Sequence, residues 1–401
     1  MPTAATLALG LWLASGLAAP ADVGGLLDRL GGADLVLTND PIAAHPVRVL
    51  VATRVAAKAE KILQVVATPA SYKKAIPSFR RVDVVSRRVQ APGKVDLEVA
   101  WELDVPLWNL EGKLWLRPRA DGADLELAEG DFAPGLFHVS VRPASGRESR
   151  SSILTIEGQA NVRDANMATR QLVQRSPLAE PAMTVAAVYV MLKSLAGLAE
   201  TGAVGRPKAD MRAPDLSAID GTRTGTAAST RPPGAALLAA VRSRADGRLA
   251  RVEVALALPA RAATRTASEP AFETLLALPG WKKVKVQRQE PRICTDPAAP
   301  CYAVDTDLPL FSLDGTWKLR RHPWRARMVA GDREGALMGI DLFSARAKAA
   351  SVLVLSEHPR LDRAGYAARK LIAAEPYLEH GLALALAIVD AVSLVPSLAR
   401  R

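Results

Sequence analysis

Histidine, cysteine and paired carboxylates are where chemistry would start in this chain, and their spacing excludes most of it. His138, His322, His358 and His380 have no second His or Cys at metal-ligand spacing, so they read as ordinary surface or core residues and no metal centre is expected. No Gly-x-Ser-x-Gly, no phosphate-binding Gly-rich loop and no Gly-x-Gly-x-x-Gly occurs, so hydrolase, nucleotide and dinucleotide chemistry lack support and no cofactor is implied. The two cysteines, Cys294 and Cys301, flank Thr-Asp-Pro-Ala-Ala-Pro, a turn-forming stretch between two apparent strands. A disulfide across that hairpin is expected, which fits an oxidising compartment; a metal pair is the alternative, with no third ligand near.

A duplication positions the remaining polar residues. The segment 106–117 (PLWNLEGKLWLR) matches 309–320 (PLFSLDGTWKLR) at six of 12 positions. Ile76 to Val84 pairs in the same way with Leu278 to Val286, Ser152 to Ile156 with Ser351 to Leu355, and Leu172 to Glu180 with Leu371 to Glu379. The offset stays between 199 and 203, so these are two copies of one long unit rather than a short-period solenoid. Among the polar residues kept in both copies, Arg170/Arg369 and Glu180/Glu379 sit on or beside the last helix of each copy. There they could face the mouth of a cavity; a surface ion pair or a helix-capping role is the plainer reading.

Periodicity gives the elements of each copy. Val47 to Thr53 alternates and is β-branched, which predicts a strand; Ala57 to Ala67 follows a helical pattern, and Pro69 opens a second short helix that Pro77 ends. Alternating runs over 82–87, 95–104, 110–117, 125–129, 136–142 and 152–158, separated by Gly-containing turns, predict a meander. A long helical segment then runs from about Asp164 to Ala199, interrupted at Pro177 and Pro181. The second copy repeats this order. Between the copies, Thr201 to Gly234 is rich in Gly, Ala, Thr, Arg and Pro without an apolar period and reads as a linker. The expected organisation is a signal peptide over 1–21, an N-terminal extension over 22–45, one domain over 46–200, a linker over 201–248 and a second domain over 249–401.

One strand, two helices, six antiparallel strands and a long C-terminal helix is an order that resembles the START-like helix-grip superfamily, which includes polyketide cyclases, coenzyme-Q-binding START proteins and the birch-pollen allergen group. The segment Val49 to Val84 looks like the opening of a polyketide-cyclase-type domain. The second copy departs from that pattern where Pro259-Ala-Arg-Ala-Ala-Thr-Arg-Thr-Ala replaces a clean first helix. The resemblance implies an α+β chain of two tandem helix-grip domains, each a curved antiparallel sheet wrapped around a long C-terminal helix. It also implies an apolar cavity that binds lipids, isoprenoids or polyketides. Residues expected to line it are Trp101 and Trp115 on the strands and Leu172, Met183, Val188 and Met191 on the helix, with Arg170 and Glu180 near its mouth. Apolar strand and helix faces also form filled cores, and sequence does not separate the two.

Composition sets the remaining bounds. At 49% hydrophobic and 23% charged the chain folds rather than staying disordered. Its net charge of +11 is interspersed, so a nucleic-acid partner is not expected, and an anionic membrane surface is the electrostatic partner that follows. The first 21 residues carry no Asp, Glu, Lys or Arg, and cleavage after Ala21 would use Ala19 and Ala21 as small recognition residues, which predicts a periplasmic or secreted protein. An uncleaved anchor is the alternative. The expected function is an exported carrier of a hydrophobic ligand. The alternatives are a cyclase or aromatase-type enzyme and a structural cell-envelope protein with filled pockets.

Overall fold

The structure is a computed structural model that describes residues 22–39, 47–105, 108–144, 151–163, 165, 167–175, 178–203, 236–243, 247–258, 281–287, 301–307, 312–320, 325–331, 334–344, 351–358, 360–361, 366–375 and 377–399. The first copy contains α1 (Val23–Arg29), β1 (Asp34–Thr38), β2 (Val49–Val55), α2 (Ala59–Ala67) and α3 (Pro69–Ala75). Six strands follow: β3 (Phe79–Ala91), β4 (Lys94–Val105), β5 (Trp108–Arg119), β6 (Gly122–Gly130), β7 (Phe132–Pro143) and β8 (Ser152–Asn161). The copy ends with α4 (Met167–Arg175) and α5 (Ala179–Thr201). The second copy contains β9 (Leu237–Ser243), β10 (Leu249–Ala257), β11 (Trp281–Gln287), β12 (Cys301–Asp307), β13 (Ser312–Arg320), β14 (Arg325–Gly331), β15 (Leu337–Ser344), β16 (Ser351–His358), α6 (Tyr366–Ala374) and α7 (Leu378–Ala399).

Local chemistry accounts for the boundaries. Pro69 occupies the first turn of α3, where its missing N–H costs nothing. Gly202 closes α5 in the left-handed region with φ 74°, and its N–H donates to the Leu198 carbonyl. Asp22 caps α1, its carboxylate accepting the Gly25 N–H at 2.7 Å.

All strands join one antiparallel sheet in the order β11-β12-β13-β14-β15-β16-β10-β9-β1-β2-β8-β7-β6-β5-β4-β3. Outward from β1 and β9, each copy thus runs its second strand, its last strand and then backwards through the meander, with its C-terminal helix on one face. This is the strand order of the helix-grip fold, present twice. The copies meet through β1 and β9, which pair antiparallel with Val36 opposite Ala239. Val36 faces Val51 on β2, and Ala239 faces Val254 on β10, so the two residues are equivalents and the pseudo-twofold axis passes between them.

One face of the sheet carries α2, α3, α5 and α7 over a core that draws on both copies, from Val49, Ile156 and Leu192 to Val254, Leu355 and Ile388. On the other face, Leu26, Leu27 and Leu30 of α1 cover Leu35, Leu50, Leu238 and Ala255 at the junction. Helices α5 and α7 also pack on each other, brought close by glycine: a Cβ at Gly381 would stand 2.8 Å from Val190 Cγ2, and one at Gly197 would stand 2.7 Å from Tyr377 Oη. Glu180–Thr201 is long and apolar enough to cross a membrane, but most of it is buried in this core.

The organisation is tighter than the boundaries expected from sequence. Residues 22–45 hold α1 and β1, and residues 201–248 hold β9, so both expected connecting segments contribute strands at the centre of the sheet. The signal segment, Cys294 and the second copy's expected helices before Leu278 lie outside the described residues.

Candidate functional site

The inner face of the first copy changes character across the sheet. Near the junction, Val49, Val51, Leu154, Ile156 and Val139 are buried, because α5 lies on β2 and β8. Farther out, α2 crosses β5, β6 and β7 and α3 rests on β3. There Val82, Leu97, Leu103, Leu114 and Leu127 remain only partly buried, as does Met191 on α5. On β3, Val84 opposite Val99 is 39% exposed and Val89 opposite Val95 is 72% exposed. A sheet face that is apolar yet incompletely covered is a surface that a ligand could bury.

An aromatic group stands at its centre. Trp101 on β4 pairs in register with Gly112 on β5. A Cβ at position 112 would stand 2.4 Å from the Glu129 carbonyl oxygen and 3.0 Å from Trp101 Cζ2, so glycine lets both the neighbouring strand and the indole come close. Phe79 packs edge-on to the indole and Phe132 lies parallel to it, both with ring centroids 6.4 Å away. The indole is 7% exposed, and its Nε1 meets no hydrogen-bond partner among the described residues.

The residues expected at the site divide. Trp101, Val188 and Met191 lie on the inner face or the helix that covers it, and Met183 is half-buried on the same helix. Trp115 is opposite Glu98 and alternates with Leu114 and Leu116, so it belongs to the outer face, where the Arg88 guanidinium sits 4.8 Å from its ring centroid. Arg170 is exposed on α4. Glu180 is buried and joined to Arg163 at 3.2 Å, while its backbone carbonyl accepts the Thr184 hydroxyl. The side chain of Leu172 and the residue Cys294 lie outside the described residues; Cys301 opens β12 and is fully buried.

A second constellation lies at the seam of the copies. Asp34, at the start of β1, accepts hydrogen bonds from Thr53 Oγ1 at 2.5 Å, Tyr189 Oη at 2.6 Å and Lys193 Nζ at 3.3 Å. His380 of α7 lies nearly parallel to Tyr189 with centroids 6.3 Å apart, meets Tyr377 edge-on, and has Nε2 3.2 Å from Ser243 Oγ. Burial, then the nearby Lys193 ammonium, pulls His380 down to about 4, so its imidazole is neutral at pH 7. Burial opposes the charge on Lys193, but Asp34 more than offsets it and holds the ammonium above its ordinary value. Burial, with Asp34 adding to it, raises Tyr189 well above the ordinary phenol range. Nearby, Glu375 accepts the Ser78 hydroxyl at 3.1 Å across the seam, and burial pushes it up to about 7.

Sequence reasoning missed this cluster, although one signal for it was present. Lys193 is a solitary cation in the apolar stretch from Pro181 to Ala199, and a buried ammonium requires a carboxylate partner. The partner's identity depends on β1, which has no periodicity to announce it.

No protein-family model and no curated protein matches this chain. Among solved structures, the Zhui aromatase/cyclase from Streptomyces sp. R1128 is similar at 16% identity over 38% of this chain and 93% of its own, with a TM-score of 0.32. TTHA0849 from Thermus thermophilus overlays 38% of this chain and 96% of its own at 16% identity and a TM-score of 0.27. The di-domain ARO/CYC BexL from the BE-7585A biosynthetic pathway covers 86% of this chain and 98% of its own at 11% identity and a TM-score of 0.25. At these scores the overlays are likenesses only, and the strand order above is what identifies the fold.

Proposed function

We propose that the first copy binds an apolar small molecule between α5 and the inner faces of β3 to β6, and that the protein carries this molecule outside the cytoplasm. The observation that supports the reading is the partly uncovered apolar face formed by Val82, Val84, Leu97, Leu103, Leu114 and Leu127 around a buried Trp101. In a filled core these positions would be covered as fully as Val49 and Ile156 are. Each ligand methylene buried there is worth about 0.8 kcal/mol, so a ten-carbon chain binds without a strong polar contact. The inner-face strand positions on β4 to β6 carry apolar side chains and glycine among the described residues, which favours carriage over acid–base turnover.

The test is extraction of the purified full chain with organic solvent, followed by mass spectrometry and uptake of a fluorescent fatty acid. A bound apolar molecule or saturable uptake supports the reading; absence of both refutes it. Export rests on the uncharged first 21 residues and the Ala19/Ala21 pattern. The intact mass of cell-envelope protein is expected to lack residues 1–21. Recovery from the cytosol alone would refute export.

A further inference from the structure

We infer that the ligand of the first copy carries a hydrogen-bond acceptor and that Trp101 reads it through its indole N–H; this rests on the apolar-binding reading above. A buried N–H without a partner costs about 1–3 kcal/mol, so native structures rarely keep one, and a purely apolar role at this position could be filled by Phe or Leu. Trp101 is buried, its N–H unpartnered among the described residues, and its ring fixed on three sides by Gly112, Phe79 and Phe132. The donor therefore has a set direction before any ligand arrives, which is the condition under which one hydrogen bond discriminates between ligands.

The second copy provides the internal contrast. Val304 is opposite Gly315 in the register that places Trp101 opposite Gly112. There the buried Met328 covers the glycine, with Cε 2.5 Å from where a Cβ at 315 would stand. At the matching register the second copy thus holds a thioether over the glycine, and its own buried indole, Trp317, sits two residues further along β13.

Two rigid probes with one ring skeleton test this: 9-fluorenone, which carries a carbonyl acceptor, and fluorene, which does not. Their affinities for the full chain are measured by equilibrium dialysis. Trp101→Phe is expected to weaken fluorenone about tenfold and leave fluorene within about twofold, the tenfold loss corresponding to about 1.4 kcal/mol. Phe132→Leu keeps the N–H and is expected to weaken both probes alike, which separates ring contact from hydrogen bonding. Equal losses for both probes in Trp101→Phe would overturn the inference while leaving the apolar site intact. Failure of both probes to bind the unmodified protein would instead overturn the site itself. A thermal midpoint of Trp101→Phe within a few degrees of the parent confirms that binding, not folding, is being read.

Discussion

The first copy's outer concavity and the seam between the copies are both built on the helix side of one sheet, yet they are opposites. The concavity is apolar and incompletely covered, with one unpartnered donor at its centre. At the seam, a charged group, Asp34, is buried with three donors converging on its carboxylate. Asp34, Thr53, Tyr189 and Lys193 all belong to the first copy, so this ion pair fixes α5 on β1 and β2, and Tyr189 in turn meets His380 of the second copy ring to ring. A face left partly exposed keeps its apolar area available to something else. On the proposed reading the concavity does the binding, while the seam, where Tyr189 meets His380 and Ser78 meets Glu375, holds the copies together.

The largest effect is expected from breaking the seam. Asp34→Ala leaves the Lys193 ammonium and the Tyr189 hydroxyl buried without their acceptor and is expected to cost about 3–5 kcal/mol, seen as a lower denaturant midpoint. A loss under about 1 kcal/mol would mean that the ion pair adds little to the packing of α5 on β1 and β2. Substitution in the concavity has the reverse profile. Met191→Arg, at the half-buried rim of the core, is expected to abolish fatty-acid uptake while shifting the thermal midpoint far less than Asp34→Ala does. Uptake unchanged in that variant would place the ligand elsewhere.

The pH response sharpens the comparison, because two seam groups titrate in opposition. Glu375 has its folded value raised to about 7, so the fold binds its proton more tightly and stability falls as pH rises from the ordinary carboxylate range towards 7. His380 is lowered to about 4, so stability falls as pH drops from the ordinary imidazole value towards 4. Between about pH 4.5 and 6.5 the two slopes offset. Glu375→Gln is expected to leave a stability that declines on acidification, and His380→Asn one that declines on alkalinisation, each by up to about 1.4 kcal/mol per pH unit. Identical slopes in both variants, read from urea midpoints, would contradict the assignment.

The smallest effect concerns the hairpin that ends at Cys301. A Cys294–Cys301 bridge closes a short loop and contributes about 2 kcal/mol in the chain-entropy model, so Cys294→Ser is expected to lower stability by that amount and leave binding unchanged. Two alkylatable thiols in unreduced, unfolded protein would show that the bridge does not form.

Much of the architecture was legible because alternation and turn residues are local signals. The expected strands at 95–104 and 152–158 became Lys94–Val105 and Ser152–Asn161, and Pro69 begins α3 as its fixed φ requires. What stayed hidden depends on partners distant in sequence. The five residues Asp34 to Thr38 are buried throughout, a pattern that does not separate strand from helix, and their pairing with β9 spans some two hundred residues of chain. Trp101 and Trp115 lie on adjacent strands with apolar residues in both phases of β5. Only the register that places Leu116 opposite Leu97 and Trp115 opposite Glu98 assigns them to opposite faces. Whether the inner face was filled or open likewise turned on how far α2, α3 and α5 cover it, which no single-residue property encodes.

The claim that the first copy's concavity is the binding site is tested most directly by amide hydrogen exchange of the full chain with and without a saturating fluorescent fatty acid. Slower exchange is predicted in β3 to β5 and along α5 near Met191, with the seam strands β1 and β9 unchanged. Uptake of the probe with no added protection in β3 to β5, or with protection confined to the second copy, would contradict it.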